Sequence, residues 1–377
     1  MSECLPLYQG IFSRVLQSMI KKETILETLA AGRVGEVVQQ LRELTQTPDF
    51  KEWSEVVIAV STRFNDLKNK ELRGLLSNED TAIETARITH SLLEIIRYLP
   101  IDDKNGETGL SFYHKHTCGR VEQTTQFYLT FQARQAEKCH FFVLAGDELQ
   151  SHEGFFKRIG YDLEGVLEDY NNPGLQSSCR VLMRNITFDA SPHLDIYKKN
   201  VVKSLFAAAS LNTNIHGLLS EKDLSYLVRN SPVIQGLGTD DFVCVLLSIG
   251  QYDWDKRLTP LMVRWFVRTF CRGKMPEQGP TFLFFFAIMY EEENEATRLE
   301  VKQVIESSKD ITPLPHLEMV DFKDVARWFE KYRDLFSDTR NRKNKLQALF
   351  PEREFYMEDV ENRLQQVIDE YNKSLLK

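Results

Sequence analysis

Apolar side chains recur at helical spacing through the first hundred residues. They stand three and four positions apart, with polar residues between them, as in helices that bury one face. Ser77, followed by Asp80 three residues later, fits a capping box and opens the last of these helices. The apolar stripes lie at residues 7–19, 25–30, 34–44, 50–67 and 83–99. This pattern predicts a small helical bundle.

A different pattern follows a polar stretch at residues 100–109, which holds Pro100, Gly106 and Gly109 as linkers often do. Beyond it, short runs rich in β-branched and aromatic residues alternate with helix-like stretches. Such runs are typical of strands covered on both faces, so we predict an α/β domain with a mostly parallel sheet. The runs are residues 141–144, 180–188, 242–249 and 282–290, with a fifth strand at 317–320 and closing helices at 322–332 and 358–371.

The chain has 377 residues, which exceeds one ordinary core and indicates two domains. The predicted fold class is a helical bundle followed by a mostly parallel α/β domain that ends in helices. We assign residues 1–100 to the helical domain, 101–115 to a linker, 116–335 to the α/β domain and 336–377 to a C-terminal helical extension.

The charge balance disfavours nucleic acid as a partner. A formal net charge of -8 gives no general attraction to phosphate backbones. The basic segment 340–345 lacks interleaved aromatic residues, so we interpret it as a solvated connection. The longest apolar run, residues 282–290, has about half of the ~20 residues that a membrane-spanning helix needs. Six scattered cysteines without a C-x-x-C pair are typical of a reducing compartment. We expect a cytoplasmic protein without nucleic-acid or membrane partners.

The first predicted strand runs into a glycine, a short loop and a helix. This is the layout of a phosphate-binding loop, whose working form reads G-x-x-x-x-G-K-[ST]. Gly146 fits the first position. Ser151, His152 and Glu153 stand where the second glycine, the lysine and the hydroxyl residue belong. The sequence therefore predicts a vestigial nucleotide loop.

Each replacement removes chemistry that a nucleoside triphosphate needs. Lysine supplies a permanent positive charge, whereas a histidine with an ordinary pKa of about 6.5 is mostly neutral at pH 7. The hydroxyl residue holds magnesium, but Glu153, Asp147 and Glu148 bring negative charge instead. The third strand also lacks the usual terminal acidic pair, since residues 247–250 read Leu-Ser-Ile-Gly. We predict no catalytic residues, no cofactor and no nucleotide hydrolysis, with weak nucleotide binding as the alternative.

Two groups of histidines and cysteines suggest other chemistry. His114, His116 and Cys118 form a His-x-His-x-Cys pattern whose side chains zinc accepts. No second cluster follows at a short spacing, so we predict a polar loop without a metal. Cys118 or Cys139 with a neighbouring histidine could form the dyad of a hydrolase. Cys139-His140 directly precedes a predicted buried strand, which favours a packing role.

Two family resemblances cover most of the chain. Residues 23–99 resemble an effector-associated domain, closest to the eleventh family of that name. This resemblance is carried by residues 29–32, 36–44, 61–67, 73–77, 87–88 and 92–93. Residues 119–332 resemble an inactive STAND domain, a relative of P-loop NTPases that has lost its catalytic motifs. This second resemblance is carried by residues 120–127, 141–155, 245–254, 282–289 and 314–328.

The resemblances imply a role in bacterial conflict systems. Effector-associated domains are small bundles similar in role to death-fold domains, and they join proteins by like-with-like contacts. The pairing implies a non-catalytic adaptor of an anti-phage system that recruits an effector or sensor with a matching domain, such as a protease, or another copy of itself. Arg63, Arg73 and Arg87 are candidate contact residues, although solvated or structural ion pairs are the plainer interpretation. The alternative function is a nucleotide-binding assembly switch.

Overall fold

The computed structural model describes residues 25–26, 28–29, 32–45, 53–73, 81, 84–85, 88–89, 91–93, 95–96, 109–170, 177, 179–211, 221–272, 275, 278–291, 294–307 and 311–375. The chain divides into two compact units, Met1–Thr108 and Gly109–Lys377. The predicted helix before residue 23, the capping box at Ser77 and most of the predicted linker lie outside the described residues.

The first unit is helical. It contains α1 (Val34–Leu44) and α2 (Ser54–Leu72), and the described positions between 25 and 29 and between 81 and 96 are also helical. The predicted apolar stripe of α1 is its buried face, and Phe64 of α2 packs partly against the same core. The core consists of Ile25, Leu29, Val34, Val37, Val38, Leu41, Leu44, Val57, Val60, Leu67, Ile88, Leu92, Ile95 and Ile96.

The second unit is built around a five-stranded parallel sheet. The strands are β1 (Cys139–Asp147), β2 (Val181–Thr187), β3 (Phe242–Ile249), β4 (Thr281–Tyr290) and β5 (Thr312–Pro313). Their hydrogen-bonded order is β2-β3-β4-β1-β5, and every neighbouring pair is parallel. The predicted fold class is confirmed, and the four longer strands lie on the four predicted runs.

Helices cover the sheet and continue beyond it. They are α3 (Val121–Ala133), α4 (His152–Glu164), α5 (Leu194–Ala208), α6 (Leu224–Asn230), α7 (Pro232–Gln235), α8 (Leu258–Trp265), α9 (Glu295–Ser307), α10 (Phe322–Lys331), α11 (Thr339–Leu349) and α12 (Met357–Leu375). None of the described helices combines the length and apolar character needed to cross a bilayer.

The two faces of the sheet carry different helices. Phe127 of α3 and Phe155 of α4 share a core with Phe285 on one face. Val201 of α5 and Val301 of α9 pack with the other face. The helices after the neighbouring strands β1 and β4 therefore leave on opposite faces, which makes the carboxyl ends of these strands the topological switch point. Sheets of this kind bind their ligands at such a point.

The predicted fifth strand at residues 317–320 is wrong. β5 lies at Thr312–Pro313, while β6 (Val320–Asp321) pairs antiparallel with β7 (Glu354–Phe355) in a separate sheet. Pro313 and Pro315 have no backbone N–H to donate, and beyond Thr312 the pairing with β1 continues through the N–H groups of Leu314 and Leu317. Its ladder is too short and interrupted to appear as an apolar run.

Residues 340–345 are not the predicted connection but part of α11. The Asp338 carboxylate caps this helix by accepting the Asn341 N–H at 2.8 Å. Arg342 forms an ion pair with Glu330 at 2.8 Å, which engages one of the basic side chains within the protein.

The C-terminal helices share a core with the start of the same unit. Val325 of α10 and Val360 of α12 pack with Leu110 and Cys118, which precede α3. The Asn372 side chain donates to the Leu110 carbonyl at 2.9 Å and accepts its N–H at 2.8 Å. This packing brings α12 to the switch point of the sheet.

Candidate functional site

The turn between β1 and α4 lies at the switch point. β1 ends at Asp147, a 3-10 turn covers Glu148–Gln150, and α4 begins at His152. The Asp147 carboxylate accepts the Leu149 N–H at 2.8 Å and holds this turn against the strand. Ser151 then adopts a left-handed conformation, with φ of 50°, and leads the chain into the helix.

Gly146 lies inside β1, before the turn. It forms an isolated parallel bridge with Leu317, and a Cβ added at residue 146 would lie 3.0 Å from the Leu317 carbonyl oxygen. The close approach that glycine permits here is thus to another segment of the same chain. Its role as the first glycine of a nucleotide loop stays a prediction.

His152, at the predicted lysine position, is buried with 3% of its surface exposed. Neither ring nitrogen has a hydrogen-bond partner of good geometry among the described residues. Burial lowers the pKa of His152 to about 3, and the positive charge of Arg120 acts in the same direction. The imidazole is therefore neutral at pH 7 and offers no fixed positive charge to a phosphate.

Glu153 stands at the predicted position of the magnesium-holding hydroxyl residue. Its side chain is 53% exposed, and Lys157 binds its carboxylate at 2.7 Å from the next turn of α4. The carboxylate is thus engaged in an ion pair on the outer surface of the helix.

The first turn of α4 holds a carboxylate from the far end of the chain. Glu361 on α12 is 8% exposed, and its Oε2 accepts the Ser151 hydroxyl at 2.7 Å. Its Oε1 lies 2.9 Å from Nδ1 of His116. A Cβ added at Gly154 would overlap this carboxylate and would lie 2.8 Å from the carboxyl carbon. The missing side chain at Gly154 therefore leaves room for the carboxylate.

Arg120 supplies a buried positive charge at the same turn. Its guanidinium donates to the Glu318 carbonyl at 2.6 Å and to the backbone and side-chain oxygens of Gln150 at 2.9 and 2.7 Å. Burial lowers the pKa of Arg120 to about 10, and the Glu361 carboxylate opposes this shift by favouring the charged form. Arg120 thus ties the turn to the segment before α10.

Sequence reasoning missed Glu361, Arg120 and the role of His116. Glu361 lies 210 residues from Ser151, so no local motif joins them. One signal is available: Glu361 falls on the buried face of α12, one position after Val360 and three before Leu364. A charged residue at a core-facing helix position implies a buried partner, although it does not say which one.

Two family models match the sequence. Residues 20–100 match the model described as effector-associated domain 11, and residues 115–288 match the model described as inactive STAND. The chain carries an effector-associated domain followed by an inactive STAND domain. Both the domains and their order agree with the prediction. The STAND match ends within β4, so α12 and Glu361 lie outside it.

Two solved structures are distantly similar. The ORC1 protein of Aeropyrum pernix in complex with DNA has a TM-score of 0.36 and 10% identity, over 67% of this chain and 60% of that chain. The Aeropyrum pernix ORC2 protein, in ADPNP-ADP complexes, has a TM-score of 0.36 and 12% identity, over 72% of this chain and 71% of that chain. The match thus spans less than two thirds of the ORC1 protein. Similarity at this level carries no functional argument. No curated protein matches the chain.

After β3 of the STAND domain, Asp255 hydrogen-bonds the backbone. β3 ends at Ile249, and the Asp255 carboxylate accepts the N–H groups of Arg257 and Leu258 at 2.8 and 2.7 Å. These bonds hold the start of α8. Asp255 is therefore a helix-capping residue, and residues 247–250 contain no carboxylate to hold a metal ion.

The predicted His-x-His-x-Cys group is divided among separate environments. Nδ1 of His114 lies 2.9 Å from the Tyr332 hydroxyl, and its Nε2 lies 2.6 Å from Asp169. His116 belongs to the carboxylate site described above. Cys118 is buried, and burial raises the pKa of its thiol. In the part of the chain that the structure describes, no three metal-binding side chains converge.

Cys139 and His140 also contact separate groups. Nε2 of His140 lies 3.0 Å from the Glu137 carbonyl, and its ring packs against Phe131 with centroids 4.9 Å apart. Burial raises the pKa of the Cys139 thiol to about 12, which leaves little thiolate near neutral pH. This geometry gives the hydrolase hypothesis no support.

Of the three candidate contact arginines, Arg63 lies on α2 of the effector-associated domain and Arg73 directly follows that helix. Arg63 and Arg73 are exposed, and neither side chain forms an ion pair within the described residues. Ile58 on the same helix is 52% exposed, which is unusual for an isoleucine. Arg87 lies outside the described residues. A role for these arginines in partner binding stays a prediction.

Proposed function

We propose that this protein is a non-catalytic adaptor of a bacterial anti-phage system, which recruits an effector through its effector-associated domain. The observation that carries the proposal is the turn after β1, where the Glu361 carboxylate fills the first turn of α4 and His152 is neutral. A triphosphate needs positive charge at this place. The domain therefore acts by binding proteins and not by hydrolysing nucleotides.

The effector-associated domain binds the effector. A matching domain, on an effector such as a protease or on a sensor, contacts the exposed face of α2 around Ile58, Arg63 and Arg73. The STAND domain binds the trigger or a second copy of the chain. Joining the partners raises their effective concentration and drives assembly of the effector without a chemical step.

The recruitment proposal is tested with the full chain and a tagged protein that carries a domain of the same effector-associated family. The wild-type chain is expected to capture it. Ile58→Asp and Arg63→Glu each weaken capture at least tenfold, because they bury or oppose charge at the contact. Arg327→Glu is the matched control, since Arg327 is 74% exposed on α10 of the other domain. Equal capture by all four proteins, or no capture by the wild type, would contradict the proposal.

The alternative of a nucleotide-controlled switch is tested on the same protein. Thermal unfolding is followed with ATP, ADP and GTP, each with magnesium, up to millimolar concentration. A ligand at a hundred times its Kd stabilises a protein by about 2.7 kcal/mol, which is readily detected as a rise in Tm. No shift is expected. A clear rise at sub-millimolar nucleotide would favour the switch over the adaptor.

A further inference from the structure

The first turn of a helix attracts anions. Its leading N–H groups lack acceptors within the helix, and the helix dipole adds partial positive charge there. In α4 this turn is already in contact with an oxyanion, the Glu361 carboxylate, which reaches it from α12.

We propose that the start of α4 is an anion site and that its resident ligand is the Glu361 carboxylate. A residue of α12, from the same chain, thus occupies the place of an oxyanion ligand. The carboxylate has the contacts of a bound ligand. Oε2 accepts the Ser151 hydroxyl at 2.7 Å, and Oε1 lies 2.9 Å from Nδ1 of His116. Both partners are themselves buried, at 9% and 6% exposure.

The electrostatics of Arg120 favour an anion in the same part of the fold. It is 8% exposed, and its Nε has no partner among the described residues. Its guanidinium donates three hydrogen bonds in the described contacts, and all three acceptors are neutral oxygens of Glu318 and Gln150. The charge interaction that most favours its ionised form is with Glu361. A buried cation of this kind needs an anion nearby.

Gly154 gives a third, steric observation. A Cβ at this position would overlap Oε1 of Glu361 and the Ser151 hydroxyl. The helix therefore has a gap in its first turn, and the size of that gap matches a carboxylate. A carboxylate or phosphate of similar size fits the same place once Glu361 is removed.

The resident ligand is held at high effective concentration. α12 is anchored by Val360 and Leu364, which are fully buried in the core shared with α10. A free anion must therefore displace a group that is tethered beside the site, and a tethered group competes at an effective concentration in the millimolar range or above. The native protein is closed to dilute oxyanions as long as α12 stays docked.

Chemical rescue tests this inference. Glu361→Ala in the full chain removes the carboxylate and leaves a gap lined by Ser151 and His116. We expect Tm of the STAND domain to fall by about 5 °C in sodium chloride, because the buried Ser151 hydroxyl and His116 ring lose their partner. Sodium acetate or inorganic phosphate at the same ionic strength should restore at least half of that loss. The wild type measures the general effect of each salt on stability, and the gain of Glu361→Ala should exceed it.

Asp359→Ala is the matched control. Asp359 is an exposed carboxylate on the same turn of α12, so its removal should change Tm little and should create no preference for acetate or phosphate. Glu361→Gln is a second variant, which keeps the shape of the side chain and leaves no gap. It should be less stable than the wild type without being rescued.

If Glu361→Ala does not fold in chloride, its refolding yield still tests the inference. Glu361→Ala is diluted from urea into chloride, acetate, phosphate or ATP, and the folded fraction is read from tryptophan fluorescence. A higher yield in acetate or phosphate supports the anion site, and a higher yield in ATP shows in addition that it accepts a nucleotide phosphate. Equal yields in all four, or an unchanged Tm, would overturn the inference. Neither result depends on effector capture, so the anion site can be supported or overturned whatever the capture experiment shows.

Discussion

The buried His152 makes the stability of the STAND domain sensitive to acid. The ring is 3% exposed, and burial holds its pKa at about 3 in the folded state. In the unfolded chain the pKa returns to about 6.5. Below that pH His152 is protonated in the unfolded state but not in the folded state, so the free energy of unfolding falls as the pH falls.

The magnitude follows from the two pKa values. Between pH 7.5 and pH 5.0 the unfolded histidine becomes protonated over about 1.5 pH units, whereas the folded histidine stays neutral. At 1.36 kcal/mol per unit, this one group removes about 2 kcal/mol of stability over that range. For a unit of this size the loss corresponds to a fall in Tm of about 4–8 °C.

His152→Leu tests this reasoning, because a leucine of similar size does not titrate. The variant and the wild type are unfolded in urea at pH 5.0, 6.0 and 7.5 and followed by tryptophan fluorescence, since three of the four tryptophans lie in this unit. The variant should gain about 2 kcal/mol relative to the wild type between pH 7.5 and 5.0. His193→Leu, at an exposed position, is the control and should show no such gain. A difference between variant and wild type that does not change with pH would refute the argument.

Three further perturbations act elsewhere in the same unit. Burial raises the pKa of Glu164 from 4.5 to about 7, so Glu164→Gln should stabilise the protein increasingly from pH 5 to pH 8, by up to about 3 kcal/mol in urea unfolding. A pH-independent difference would contradict this. Gly154→Ala should cost about 1–3 kcal/mol through its overlap with Glu361, and combining it with Glu361→Ala should cost less than the sum of the two single losses. Strict additivity would count against the overlap. Tyr332→Phe should cost about 1–3 kcal/mol, because His114 loses a buried hydrogen bond, and an unchanged urea midpoint would argue against that bond.

The sheet was predictable because helices cover both of its faces. β4 is buried along nearly its whole length, and residues 282–290 form a continuous apolar run for that reason. β2 is only partly buried because it is an edge strand of the sheet. Arg184 and Asn185 interrupt its run accordingly, and Arg184 bonds the Ala208 carbonyl at the end of α5.

The parts that sequence could not supply depend on contacts between distant segments. β5 has two residues and is defined by its pairing with β1, not by its own composition. α11 begins where Asp338 caps a strongly polar segment, which carries no apolar stripe to reveal it. Only one of the two features of the turn between β1 and α4 could be predicted. The missing lysine is visible in the sequence, whereas the carboxylate that stands there comes from residue 361.

The missing lysine and the resident carboxylate have a common electrostatic basis. In the folded site the Arg120 guanidinium and the Glu361 carboxylate are both buried and attract each other, and His152 is neutral. A lysine at residue 152 would add a second buried cation, and loss of Glu361 would leave the Ser151 hydroxyl without this acceptor and Arg120 without the attraction of this anion. Removing one partner of a buried polar group costs about 1–3 kcal/mol. Each single substitution that restores a feature of a phosphate-binding loop is therefore destabilising while the rest of the site is unchanged, and the Glu361 carboxylate stays at the start of α4.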